Sequence, residues 1–292
     1  MVYLRKFKLP SESDEINEMR KEQRTCFGTR YPFKLFPAKQ LEYIEFEPVT
    51  IFYGSNGSGK TTLINVIAEK LNVIRHSEFN NSAFFEPYTR LCRRTPGEIP
   101  SNSQILSSDD VFDYAINMRY LNSNVDYHRE ELFRGYGLIN LNNANDPSGS
   151  YRQLHGLDDY DRYKEVTDAR LKTQSSFVKE RLAKNVDMFS NGETAMRYFV
   201  EHIDRDALYL LDEPENSLSI KLQLDLAKYI GDSARFYNCQ FIMSTHSPIL
   251  LSIEGAKIYD LDSVPVDTKS WTELENVREY FNFFKEHKEE FE

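Results

Sequence analysis

The eight residues Gly54-Ser55-Asn56-Gly57-Ser58-Gly59-Lys60-Thr61 constrain the fold more than any other stretch of this chain. A β-rich run, Val49–Tyr53, leads into them. Leu63, Ile64, Ile67, Ala68 and Leu71 follow at helical spacing. Gly54, Gly57 and Gly59 let the backbone turn tightly and aim its N–H groups at one point. The positive end of a helix beginning near Lys60 faces the same point. Strand, glycine turn and helix in this order can cradle a phosphate, with Lys60 reaching its oxygens and the Thr61 hydroxyl placed for a divalent cation. Such a unit belongs in an α/β domain, where parallel strands are covered on both faces.

The second half of the chain carries complementary signals. Ala207–Leu211 is wholly apolar, as a doubly covered strand must be, and runs into Asp212-Glu213-Pro214. At such a strand end Asp212 suits Mg²⁺, and Glu213 suits polarising the water that attacks a γ-phosphate. The plain alternative for Glu213 is an ordinary surface carboxylate. Phe189-Ser190-Asn191-Gly192-Glu193 precedes a helix expected over Glu193–Ile203. The Ser190 hydroxyl and the close approach allowed by Gly192 form a second anion site there. Taken alone, the same residues read as an N-cap with its capping acid. Ser217–Ala234 is a further expected helix, with Leu218, Leu222, Leu226 and Ile230 at spacing four. Ser244-Thr245-His246-Ser247-Pro248 ends an expected strand at Gln240–Ser244, and Lys257–Leu261 is another. His246 either contacts the γ-phosphate or caps the strand end.

In this order the segments resemble ABC-type ATPases, especially the non-transporter branch related to SMC and RecF proteins. Leu210–Asn216 is similar to Walker B, Phe189–Glu193 to the ABC signature, and Ser244–Pro248 to the switch-histidine segment. About 20 residues separate signature from Walker B, and about 30–35 separate Walker B from His246, which suits intervening helix and strand units. Small stand-alone bacterial ATPases of the AAA-family type are the nearest resemblance. Their features stand here as Ser190–Thr194, Asp212–Ser219, Thr245–Pro248 and Trp271–Phe281. The resemblance is strong over 45–70 and 186–262 and weak in between and at the termini.

The resemblance implies a P-loop fold with a mixed, mainly parallel core sheet, an N-terminal antiparallel β subdomain and an inserted helical arm. It implies ATP and Mg²⁺ as cofactors. Ser55, Asn56, Gly57, Ser58, Gly59, Lys60, Thr61 and Thr62 would hold phosphates, and Ser190, Asn191, Gly192 and Glu193 of a second copy would close over them. Thr61 and Asp212 would bind the metal, with Asp109 as a further, water-mediated contact, and Glu213 and His246 would be catalytic. Two copies would then pair head-to-tail around ATP and pass the motion to a protein partner, in defence against phage or in DNA maintenance. A DNA-repair ATPase and a transporter subunit are the alternatives.

Several assignments stay open at this level. Asp109 and Asp110 read as a metal contact or a helix start, and Gln104 stands before them. Ser217 is a dimer-crossing loop residue or a helix start. Tyr43 or Phe46 stacks on adenine or belongs to the core. The expected organisation is an N-terminal lobe over 1–120, an arm over 121–185, a C-terminal lobe over 186–265 and an amphipathic C-terminal helix over 266–292. Within it, 72–104 reads as irregular and 121–156, rich in Asn, Gly, Ser and Asp, as a surface loop. Trp271, Tyr280, Phe281, Phe283 and Phe284 are expected to pack on the core.

A net charge of −10 disfavours broad nucleic-acid binding. Arg152, Arg162, Lys164, Arg170, Lys172, Lys179, Arg181 and Lys184 alternate with acids, as on a solvated helix face. Cys26, Cys92 and Cys239 have no metal-ligand spacing and suit a reducing compartment. With no leader-like apolar segment and no spanning stretch, a cytoplasmic chain without a membrane span is expected.

Overall fold

The chain begins with β1 (Lys6–Lys8), α1 (Glu12–Lys21), β2 (Tyr43–Glu45) and β3 (Val49–Tyr53). Next come α2 (Lys60–Leu71), α3 (Phe85–Leu91), β4 (Arg93–Arg94), β5 (Gln104–Ser107) and the 37-residue α4 (Ser108–Ala144). Two helices, α5 (Tyr160–Leu171) and α6 (Gln174–Arg181), precede α7 (Asn191–His202). Then β6 (Leu208–Asp212), α8 (Ile220–Phe236), β7 (Gln240–Ser244), α9 (Pro248–Leu251), β8 (Lys257–Asp260), β9 (Asp267–Thr268) and α10 (Glu275–Glu286) complete the order. The structure, a computed structural model, describes residues 1–21, 26–146, 160–182 and 190–291. Met1–Asp113 with Phe189–Glu292 forms one unit, and Tyr114–Met188 a second.

In the first unit a six-stranded sheet has the order β5-β6-β7-β3-β8-β9. β5 through β8 are parallel, and β9 is antiparallel to β8. Strands β3 and β7 are buried along their whole length; β3 is apolar, β-branched or aromatic throughout, and β7 buries Gln240 and Ser244 with hydrogen-bond partners. Parallel strands end at a common edge, where the loops that follow them meet. The register sets Ser107 beside Asp212, Asp212 beside Ser244, and Ser244 beside Phe52. A three-stranded antiparallel sheet, β2-β1-β4, carries the N-terminal part, as expected. Gln240 ties the segment before β1 to the main sheet: its side chain accepts from the Tyr3 and Leu4 N–H groups and donates to the Leu4 carbonyl.

Phe7, Phe36, Ile44, Phe52, Ile64 and Phe85 belong to one buried cluster that joins the antiparallel sheet, α2, α3 and the main sheet. Against it lies Glu15, which is only 1% exposed. Its carboxylate accepts from the Lys34 N–H at 2.6 Å and so anchors the segment around Tyr31 to α1. Burial pushes the Glu15 pKa up to about 7.

Three expectations are corrected. Residues 121–144 are helical, as the continuation of α4, and not a loop; 147–156 lie outside the described residues. Asn and Gly disfavour helix by less than about 1 kcal/mol each, and packing can override that. Here Leu132, Phe133, Tyr136 and Ile139 pack with Val166, Phe177 and Val178 in the core of the second unit. The 72–104 stretch holds α3 and β4, with Phe85 and Tyr88 among the largest buried side chains. The C-terminal aromatics are exposed: α10 buries Val277 and leaves Phe281 at 66% and Phe283 at 56%. Phe283 and Phe284 pack on each other and on the following His287 and Phe291.

Within the second unit Lys172 pairs with Asp168 and Glu180, and Arg181 pairs with Asp168. Arg152 and Lys184 lie outside the described residues. Among the described residues no helix is long and apolar enough to cross a membrane.

Because the folded Glu15 pKa lies above its ordinary value of 4.5, its contribution to stability is present below that value and lost as pH rises through about 7. Glu15→Gln keeps an acceptor for Lys34 and abolishes the ionisation. Thermal melts should show it gaining on the wild type between pH 5 and pH 8. A parallel pH dependence in the two proteins would contradict the assignment.

Candidate functional site

The turn between β3 and α2 takes the form its glycines permit. Gly57 and Gly59 have φ of 82° and 96°, in the left-handed region that residues with a Cβ avoid. Gly59 caps α2, and Lys60 follows with only 4% of its surface exposed. The Lys60 ammonium donates to the Gly54 carbonyl at 3.0 Å and the Ser55 carbonyl at 3.2 Å. Burial pulls its pKa below the usual lysine range, against the opposing pull of Glu213 and Asp212. The loop is held from outside as well: Tyr31 donates to the Thr62 hydroxyl, and Asp262 accepts from Ser55.

Asp212 ends β6 beside this turn. Its Oδ1 accepts from Thr61 Oγ1 at 3.1 Å and from Ser244 Oγ at 2.5 Å. Burial raises its pKa, and both hydroxyls counter that rise. Carboxylate and hydroxyl oxygens in contact at a helix N-terminus are hard donors of the kind Mg²⁺ takes alongside phosphate oxygens, so these residues fit that ion. Glu213 lies next in the chain in a left-handed conformation, φ 49°. Its N–H is bound by the carbonyl and the hydroxyl of Ser244, both at 3.1 Å. Its Oε1 lies 4.0 Å from the Lys60 ammonium and 3.6 Å from His246 Nε2.

His246 follows β7, and its backbone is fixed by Glu215. The Oε1 of that half-buried acid accepts from the N–H groups of His246 at 2.6 Å and Ser247 at 3.2 Å. Burial and then Lys60 lower the His246 pKa, while Glu213 raises it. The net shift favours the neutral imidazole. Its buried Nε2 has no hydrogen-bond partner, and 3.6 Å to Glu213 is too long for one.

Ser190 caps α7 through a full capping box with Glu193: each backbone N–H is bound by the other's side chain. The helix-cap geometry weighed for this segment is thus present. Gly192 packs so closely that a Cβ would lie 2.9 Å from Leu222 Cδ1 and 3.1 Å from the Ser217 carbonyl. Phe189 lies outside the described residues. Ser219, not Ser217, caps α8, and Ser217 adopts φ 70° in the preceding turn.

Of the acidic pair after β5, Asp109 is exposed in the first turn of α4. Asp110 is buried and accepts from Ser107 N and Oγ, both at 2.7 Å. Gln104 sits three residues earlier on the strand, bound to the His202 carbonyl and to His76. Phe46 is buried in the core, and Tyr43 is exposed on β2 under Lys8. Neither lines the cavity of about 790 Å³ that opens beside the loop. Residues 29–35 line it, with Asn56, Gly57, Thr61 and Glu213. Sequence reasoning passed over that segment, and over Ser244, Glu215 and Asp262. The third acid of Asp212-Glu213-Pro214-Glu215 was the one visible signal.

A family model described as "AAA domain, putative AbiEii toxin, Type IV TA system" matches residues 70–252. No protein of curated function matches. Similar solved structures include three of low sequence identity. The Smc head domain of Pyrococcus furiosus, with an extended coiled coil and bound to the C-terminal domain of ScpA, is 13% identical. It has a TM-score of 0.43, with 99% of this chain and 100% of that chain covered. The ATP-binding cassette MJ0796, in a dimeric post-hydrolysis state with ADP and Pi, is 14% identical over 78% of this chain and 88% of that one, TM-score 0.36. An SmcHead bound to the C-winged helix domain of ScpA is 17% identical over 81% and 94%, TM-score 0.39.

The charges around His246 make its titration a test of the geometry. By NMR its pKa should lie below the ordinary 6.5, fall further in Glu213→Gln and rise in Lys60→Met. An unshifted wild-type value, or no response to either change, would refute the arrangement.

Proposed function

We propose, for a chain that belongs to this AAA-domain family of ABC-type P-loop ATPases, that it binds ATP with Mg²⁺ and hydrolyses it in a site closed by a second copy. The observation that carries this reading is the meeting of Lys60, Thr61, Asp212, Glu213 and His246 at one sheet edge, with Glu213 within 4.0 Å of both Lys60 and His246. Lys60 would leave the Gly54 and Ser55 carbonyls for the β- and γ-phosphates, while loop N–H groups cradle them. Thr61 and Asp212 would hold the Mg²⁺, which neutralises charge on the phosphate oxygens. The cavity beside residues 29–35 would take the nucleoside.

Glu213 would accept the proton of the attacking water as its oxygen bonds the γ-phosphorus and the bond to ADP breaks. Neutral His246, its Nε2 unpartnered, would contact the transferred phosphoryl group. Ser190 and Gly192 of the second copy would add the N-terminus of their α7 across the γ-phosphate. ATP then favours the closed pair and hydrolysis the open one, which is a switch. The family description names a toxin–antitoxin system. On that likeness, the switch would act on a protein partner, in phage defence or DNA maintenance.

The test is solution mass of Glu213→Gln with and without Mg-ATP. The variant should retain ATP, lose nearly all turnover and shift from 34.3 kDa to a dimer only when ATP is present. A monomer that binds ATP would refute closure by a second copy. Unimpaired turnover would remove Glu213 from the chemistry.

A further inference from the structure

Asp262 lies just past β8, the strand that pairs in parallel with β3. The two strands end at the same edge, and the loop after β8 meets the start of the phosphate loop. There Asp262 grips Ser55 at two points: Oδ2 accepts from the backbone N–H at 2.6 Å, and Oδ1 from the hydroxyl at 2.9 Å. The grip is itself held. The Asp262 N–H donates to Asp260 Oδ1, and Asp260 is bound by Ser263 and by the Lys269 ammonium at 2.6 Å. Lys39 reaches across to the Leu261 carbonyl at 2.6 Å.

What Asp262 holds matters for the site. The carbonyls of Gly54 and Ser55 are the two on which the Lys60 ammonium rests. The Ser55 N–H, with an acceptor already in place, is withdrawn from the donors that could face a phosphate. A carboxylate also places a negative charge near the place where phosphates would bind, so its charge opposes nucleotide while its geometry prepares the loop. We infer that Asp262 is a positioning residue: it fixes Ser55 as the brace of the phosphate loop, so that the later N–H groups and Lys60 are preset for the nucleotide. This rests on the ATP reading above, and it moves Ser55 from phosphate ligand to support. Because Asp262 is solvent-exposed, its bonds add little to global stability, and the effect falls on the loop.

Calorimetric titration with Mg-ATP and Mg-ADP separates the contributions. Asp262→Ala should fold with the wild-type melting temperature and bind both nucleotides about tenfold more weakly, the scale of one charge-assisted hydrogen bond. Asp262→Asn can still accept from the Ser55 N–H and donate to its hydroxyl, without the charge, and should bind as tightly as the wild type or more tightly. Rescue by asparagine is the readout that a merely electrostatic role would not produce. Alanine binding like wild type overturns the inference, as does asparagine binding as weakly as alanine. If Asp262→Ala does not fold, Ser55→Ala carries the test: a smaller loss is expected, and unchanged affinity overturns the inference. A wild type that binds neither nucleotide refutes the ATP reading itself, whereas a binding wild type with an indifferent alanine variant refutes only the role of Asp262.

Discussion

A carboxylate shut in at the end of a parallel strand is the constraint on which the rest of this arrangement depends. Burial makes the charged form of Asp212 unfavourable, and hydroxyl donors from Thr61 and Ser244 offset part of that. Both donors are available only in one alignment of strands. β6 and β7 pair so that Asp212 lies beside Ser244, and β3 on the far side of β7 delivers the phosphate loop to the same edge. A slip of one residue would turn Asp212 to the opposite face of the sheet and separate it from both. Ser244 adds a second constraint by binding the Glu213 N–H through carbonyl and hydroxyl together. Side chain and backbone of the Asp212-Glu213 pair are thus set by one serine on the next strand.

Three acids within four residues would repel one another unless each had a separate answer. Asp212 has hydroxyls, and Glu215 has the N–H groups of the turn that carries His246. Glu213 has the Asn216 amide, which donates to its Oε2 at 3.2 Å, with Lys60 and the imidazole farther off. Its left-handed backbone stores on the order of 1 kcal/mol, sustained by the ties to Ser244. Of the three, Glu213 is the one that faces the cavity.

The parts of this architecture that showed in the sequence were those encoded locally. The turn at Gly54–Thr61 and the apolar run before Asp212 carry their conformation in consecutive residues, and so do the caps at Ser190 and Ser219. What did not show depends on distant partners. Tyr31, which lines the cavity, and Glu15, which holds Lys34 of its wall, look like ordinary residues of the N-terminal segment until α1 and Lys34 are brought together. Asp262 is separated from Ser55 by most of the chain. Residues 121–144 read as a loop because Asn and Gly are poor helix formers, while the packing that overrides this comes from α5 and α6. The aromatics of α10 resembled core only by type: the helix turns Val277 inward and leaves them outside.

The tight seat of Gly192 bears on how such chains are sorted by their motifs. Its missing Cβ is filled by Leu222 and the Ser217 carbonyl of the same chain, before any second copy or nucleotide is considered. The glycine is thus required by the packing of α7 on the turn before α8 as well as by any role across an interface. A descendant that had stopped using ATP but still needed this packing would have reason to retain it. A glycine at this place is therefore a weak marker of a working composite site. The Asp212-Glu213 pair, which the packing alone would gladly lose, is the more telling one.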